Sequence, residues 1–189
     1  MFKYQISITS QTGVGKSSLF KVLKNKLVDS RYRWVSAGGL FRGKASELGM
    51  TVEQFAEYNR LHPEKGYDKW VDDTITKMAE SDWMICESRL SHFFMPRAFK
   101  VLLKCDINTR AERRQKDFPD KSLEEICQAI EERDKNDNAR YEKLYPGCLW
   151  EGEKFDLVLN TEVMSPEVLA SQLVSEYELW QKRHKFSLS

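Results

Sequence analysis

The sequence holds no apolar run approaching the length of a bilayer span and no charged-then-apolar leader of the secretory kind. A protein that neither crosses nor associates with a membrane, in a cytoplasmic location, is the expectation. Cysteine is scarce: Cys86, Cys105, Cys127 and Cys148 are widely spaced, with no C-x-x-C pair, which argues against zinc ligands and for reduced thiols in apolar surroundings. Excess charge of either sign is also missing. With 30 Lys and Arg against 29 Asp and Glu, the net charge of +1 creates no global field to attract nucleic acid, so any anion site must come from local clustering. His62, His92 and His184 share no metal-ligand spacing, and no Ser/His/Asp or Cys/His constellation can be argued from residue order. Together with the dispersed Trp34, Trp70, Trp83, Trp150 and Trp180, they read as packing or surface groups.

What is present fits one globular domain: 189 residues, 41% hydrophobic and 31% charged, undivided by linkers or repeats. Short apolar segments alternate with helical ones. MFKYQISI (Met1–Ile8, with Phe2, Tyr4, Ile6 and Ile8 alternating), YRWVS (Tyr32–Ser36), DWMICE (Asp82–Glu87), FKVLLKC (Phe99–Cys105) and FDLVLN (Phe155–Asn160) predict five strands. Helices between them imply a parallel sheet covered on both faces, an α/β protein. Thr51 with Gln54 and Ser122 with Glu125 have capping-box spacing, and Ser165 before Pro166 marks a further helix start.

The first strand runs into ITSQTGVGKSSLF, Ile8–Phe20, which matches the phosphate-loop pattern G-x-x-x-x-G-K-[ST] except that Ser10 replaces the first glycine. A strand precedes it, and Leu19, Phe20, Val22, Leu23, Leu27 and Val28 follow at helical spacing. The pattern predicts an ATP cradle of Ser10, Gly13, Val14, Gly15, Lys16, Ser17 and Ser18. Gly13 and Gly15 would let the backbone approach the phosphates, Lys16 would reach the β- and γ-phosphates, and the Ser17 hydroxyl would ligate Mg²⁺. Ser10 is compatible with this role if its φ is negative.

Ligands in such sheets bind beyond the carboxyl ends of the strands. SAGGLFR after the second strand carries Ser36 and Arg42, ESRL after the third carries Glu87 and Arg89, and DINTRAERRQKDF after the fourth is rich in arginine. Arginines gathered at one crevice suit bidentate phosphate binding. Glu87 closes an apolar strand and either holds Mg²⁺ or pairs with Arg89 or Lys16. In the helix from Ser122 to about Tyr145, Leu123, Ile126, Cys127, Ile130, Tyr141 and Leu144 form an apolar stripe that contains Asp137, with Arg133 and Arg140 along one edge. Such a carboxylate either braces helices through an internal Arg–Asp pair or lines a polar pocket.

The phosphate loop, SAGGLFR, ELGMTVEQFAEYNRLHPE, ESRL, TRAERRQKDF, KSLEEICQAIEERDKNDNARY, FDLVLNT and SPEVLA, in this order, resemble the cytidylate kinases in their short archaeal-type form. The resemblance implies a P-loop NTPase fold of three α/β/α layers, with a helical monophosphate-binding insert at about 38–80 and a lid at about 108–120. It implies a monomeric enzyme that uses ATP and Mg²⁺ to phosphorylate CMP or dCMP. Ser36, Arg42, Arg89, Arg133, Asp137 and Arg140 would bind the acceptor, and the lid arginines Arg110 and Arg113, with Arg114 a further candidate, would act with Lys16 in transfer. Besides Ser10, two positions depart from the family: Gly39 stands where an acid is frequent, and Ser88 where a glycine is usual. A P-loop kinase with another small acceptor, or a nucleotide-binding regulatory module without transfer activity, are the rival readings.

Overall fold

The computed structural model describes residues 4–80 and 83–186. Its elements run β1 (Tyr4–Thr9), α1 (Lys16–Lys26), β2 (Arg33–Ser36), α2 (Ala37–Glu47), α3 (Val52–Leu61), a 3₁₀ turn (Pro63–Lys65), α4 (Tyr67–Met78), β3 (Trp83–Ser88), α5 (Ser91–Phe94), β4 (Phe99–Lys104), α6 (Ile107–Gln115), α7 (Leu123–Leu144), β5 (Leu157–Asn160) and α8 (Pro166–Phe186). The five strands pair in parallel in the order β2-β3-β1-β4-β5. Each predicted strand is present; β1 and β3 run one residue past the predicted carboxyl end, to Thr9 and Ser88, while β2, β4 and β5 are shorter by a residue or two. Met1–Lys3 and Asp82, which the sequence assigns to strands, lie outside the described residues.

Side chains alternating across β1 build two layers of core. Ile6 and Ile8 pack with Leu19 and Leu23 of α1 and Leu173 and Tyr177 of α8, all nearly inaccessible. Gln5, Ser7 and Thr9 point the other way and are equally buried. Their polar atoms are satisfied there: Ser7 Oγ meets Ser91 Oγ at 3.1 Å, Thr9 Oγ1 meets Ser91 Oγ at 3.0 Å and His92 Nδ1 at 3.3 Å, and Gln5 donates to the Ala79 carbonyl. Buried polar groups paired in this way cost little, which lets a central strand carry a hydroxyl face. His92 has the packing role read from the sequence, with Nε2 3.0 Å from the Cys148 carbonyl oxygen and burial lowering its pKa to about 4.

Both capping boxes close as the spacing predicts, at Thr51 with Gln54 and at Ser122 with Glu125. Ser165 Oγ accepts from Val168 N at the head of α8. α6 and α7 bury a small third cluster, Ala111 with Ile126 and Ile130. Leu123 and Leu144, at the two ends of the predicted stripe on α7, are 45% and 44% exposed, so only the middle of that stripe is core.

Candidate active site

The β1 carboxyl end leads into the loop, and α1 begins at Lys16, where the motif requires it. Gly13 (φ 79°) and Gly15 (φ 99°) occupy left-handed backbone. Space is not what demands glycine: a Cβ at Gly13 would meet its nearest neighbour, Arg110 Cβ, at an ordinary 3.6 Å. The dihedral is the constraint. Ser10, by contrast, does not have positive φ, so a side chain is tolerated where the motif has its first glycine.

Lys16 is folded back on its own loop. Its ammonium donates to Ser10 Oγ (2.9 Å), the Ser10 carbonyl (3.1 Å) and the Gln11 carbonyl (2.9 Å). Burial pushes its pKa down to about 8; Glu87 opposes the shift, and Arg89 and Arg110 add to it. Glu87 is 6% exposed, and its Oε2 has no hydrogen-bond partner among the described residues. Neither the Arg89 nor the Lys16 ion pair anticipated for it forms. A buried carboxylate oxygen left open near the lysine, with the exposed Ser17 in the first turn of α1, is a donor set of the hard oxygen type that Mg²⁺ takes.

Outside the loop, a ladder of opposite charges crosses three elements. Asp68 of α4 meets Arg140 at 3.0 Å; Arg140 meets Asp137 at 3.1 Å; Asp137 meets Arg89 at 2.9 Å; Arg89 meets Asp134 at 3.1 Å; and Asp134 meets Arg110. The two arginines at its buried end grip the phosphate loop. Arg89 donates to Thr12 Oγ1 (2.8 Å), while Arg110 donates to the Thr12 carbonyl (2.7 Å) and to Gln11 Oε1 (3.1 Å). On the loop's other side, the Val14 carbonyl accepts from Thr161 Oγ1 (2.7 Å) and Arg113 (3.3 Å). Gln11, Thr12, Asp134 and Thr161 went unassigned in the sequence. Asp134 had a signal, since it continues the Ile126–Ile130 spacing by one further turn.

Several predicted site residues therefore sit differently from expectation. The deeply buried carboxylate of α7 is Asp134, not Asp137; Asp137 retains 20% side-chain exposure and is held in the Arg–Asp pairing that was the bracing alternative. Arg110, read as a lid arginine, is 4% exposed and committed to the loop. Ser88 turns its Oγ back to accept from Leu90 N (3.1 Å). Ser36 Oγ caps α2 by accepting from Gly39 N (3.0 Å), and a Cβ at Gly39 would come within 3.2 Å of Ser36 Cβ. That crowding gives the glycine a structural reason. Arg42 and Arg133 are exposed, with Arg133 only at 3.9 Å from Asp137.

A cleft of about 620 Å³ opens over the loop, lined by Gly13–Ser18 and by Glu112, Arg113, Arg114 and Lys116 of α6 and the turn after it. It offers backbone N–H groups, a helix N-terminus and three cationic side chains besides Lys16, the chemistry of a polyphosphate site. Ser10→Gly is expected to leave the KM for ATP within about threefold, because the serine is unstrained and the lysine keeps two carbonyl partners without its hydroxyl. Steady-state kinetics at varied ATP checks this, and a much larger gain in affinity would reveal a strained loop.

Among solved structures, the fold is similar to a gluconokinase from Sinorhizobium meliloti (TM-score 0.59, 13% identity, 98% of each chain covered). It is also similar to shikimate kinase from Aquifex aeolicus (TM-score 0.57, 16% identity, 92% of this chain and 96% of that one). In sequence, the chain is 33% identical over 168 residues to a cytidylate kinase of Pyrococcus horikoshii, covering 87% of this chain and 83% of that protein. A cytidylate kinase of Archaeoglobus fulgidus is 30% identical over 177 residues, with 93% and 95% covered. The cytidylate kinase-like family model matches residues 5–163, a span that takes in the cradle, both buried arginines and the Asp134 that joins them; the chain belongs to that family.

Proposed function

We propose that the protein transfers the γ-phosphoryl group of ATP to the phosphate of CMP or dCMP, forming the diphosphate and ADP. The carrying observation is the ladder: one carboxyl edge of the sheet sets a phosphate cradle beside a wall of arginines whose charges are mutually positioned. An oxygen of the acceptor phosphate attacks the γ-phosphorus as the bond to the β-phosphate oxygen breaks. This chemistry needs alignment and charge neutralisation more than a base.

Residues 13–18 hold the triphosphate, and Lys16 exchanges its loop carbonyls for phosphate oxygens. Ser17 and Glu87 would hold Mg²⁺, which when bound neutralises charge on the phosphates. Arg110 and Arg89 position the loop through Gln11 and Thr12. Arg113 and Arg114, on the segment proposed as a lid, border the cleft and neutralise the transferring group. Helices α2–α4 form the acceptor-binding insert, with Arg42 and Arg133 free to take the acceptor phosphate. Water excluded by closure of the α6 segment would limit ATP hydrolysis.

ADP release measured with each acceptor tests the reading. CMP and dCMP are expected to support turnover better than UMP, and far better than AMP or GMP, because a site that hydrogen-bonds one base edge rejects another strongly. Purine preference would remove the acceptor assignment. ATP binding without acceptor-dependent turnover would leave a nucleotide-binding module.

A further inference from the structure

The acceptor side of the site contains a carboxyl that the phosphate chemistry does not use. Asp72 lies one turn beyond Asp68 on α4, is 8% exposed, and has an Oδ2 without a hydrogen-bond partner among the described residues. The Tyr145 hydroxyl, just past α7, is buried and equally unpartnered. It stands beside Asp72 and lowers the proton affinity of that carboxyl. Arg89 Nη1, Arg140 Nε and Asn138 Oδ1 are further buried atoms without hydrogen-bond partners among the described residues. These five open polar groups, on α4 and α7 and in the turns after β3 and α7, are costly in a closed core and are what a polar ligand would complete.

Asp137 is already held by two close ion pairs. Oδ1 is engaged by Arg140 and Oδ2 by Arg89. Among the described residues Asp72 has no ion pair, and its carboxyl is pushed up to about 7, chiefly by burial and further by Asp68 and Asp73, with Tyr145 and Arg140 opposing. Besides these, Tyr141 of α7 and Cys86 of β3 face it, both with raised pKa and neutral near pH 7. A neutral carboxyl is at once a donor and an acceptor. Cytosine presents, side by side, the N3 lone pair and the N4 amine.

We propose that Asp72, with the Tyr145 hydroxyl beside it, reads the base of the acceptor: its O–H donates to cytosine N3 and its carbonyl oxygen accepts from the N4 amine. This inference rests on the acceptor being a cytidine monophosphate. It makes Asp72 the specificity-determining residue, and leaves Asp137 to position Arg89 and Arg140.

The test compares CMP with the analogue whose base carries hydrogen in place of the N4 amine, using the full chain and saturating ATP. The parent should favour CMP in kcat/KM by about 30-fold, the scale of one buried hydrogen-bonding group left unpaired. Asp72→Leu should bring that ratio close to one and raise the KM for CMP, with the KM for ATP unchanged. Asp72→Asn, whose amide offers the same donor and acceptor pair, should restore the ratio. In the parent, CMP binding should weaken as pH rises through about 7 and the O–H is lost; in Asp72→Asn this dependence should disappear. A folded Asp72→Leu protein with the parental ratio overturns the inference, as does an Asp72→Asn protein with the parental pH profile. If the parent itself does not turn over CMP, the acceptor reading fails first and takes this one with it.

Discussion

Replacing Lys16 with alanine is expected to lower kcat by about 10³-fold or more, the upper end of what losing one preorganised donor costs, because a full charge leaves with it. The fold should survive. All three hydrogen bonds of the Lys16 ammonium go to Ser10 and Gln11 of its own loop, and none ties it to the hydrophobic core. The lowered pKa of about 8 adds a pH signature. Below that value the free enzyme carries the ammonium that ATP needs; above it the proton is lost, so kcat/KM for ATP should fall as pH rises through about 8. Bound phosphate holds the proton on, so kcat should decline only at higher pH. Steady-state kinetics across pH, with thermal melts of the variant, decide the matter. A folded Lys16→Ala protein with parental kcat would remove the phosphate-loop assignment.

Asp134→Ala is expected to be the most destabilising single substitution at the site. Its carboxylate is the shared partner of Arg89 and Arg110, whose side chains are 9% and 5% exposed. Removing it leaves the buried Arg110 guanidinium without a carboxylate and Arg89 with Asp137 alone, and breaking a buried pair from one side costs about 3–5 kcal/mol. For a chain of this length that corresponds to a fall in Tm of roughly 10–15 °C. Asp137→Ala should cost less, because of its two close partners the buried Arg89 keeps Asp134, and Arg140 is 40% exposed and keeps Asp68. Denaturant unfolding of both variants makes the comparison, and equal losses would show that the ladder is not graded by burial. Where Asp134→Ala still folds, kcat should also fall, since Gln11 and Thr12 lose the arginines that hold them in place.

The sequence alone determined whatever depends on neighbours along the chain. Alternation in Ile6 and Ile8, the glycines at positive φ, the helix starting at Lys16 and the two capping boxes all follow from backbone rules that act within a few residues. A motif of that kind is legible before folding, and so was the family. Which carboxylate is buried, and what it touches, was decided by the tertiary structure. Asp134 and Asp137 share a helix and nearly a face, but Arg89 reaches Asp134 from 45 residues away and Arg110 from 24. The same holds for Asp72, whose isolation arises because the neighbouring Arg140 spends its ion pairs on Asp68 and Asp137. Burial and partnership of a charge are set by which elements converge on it in space. The cost of desolvating a charge depends on that convergence, and no local periodicity encodes it.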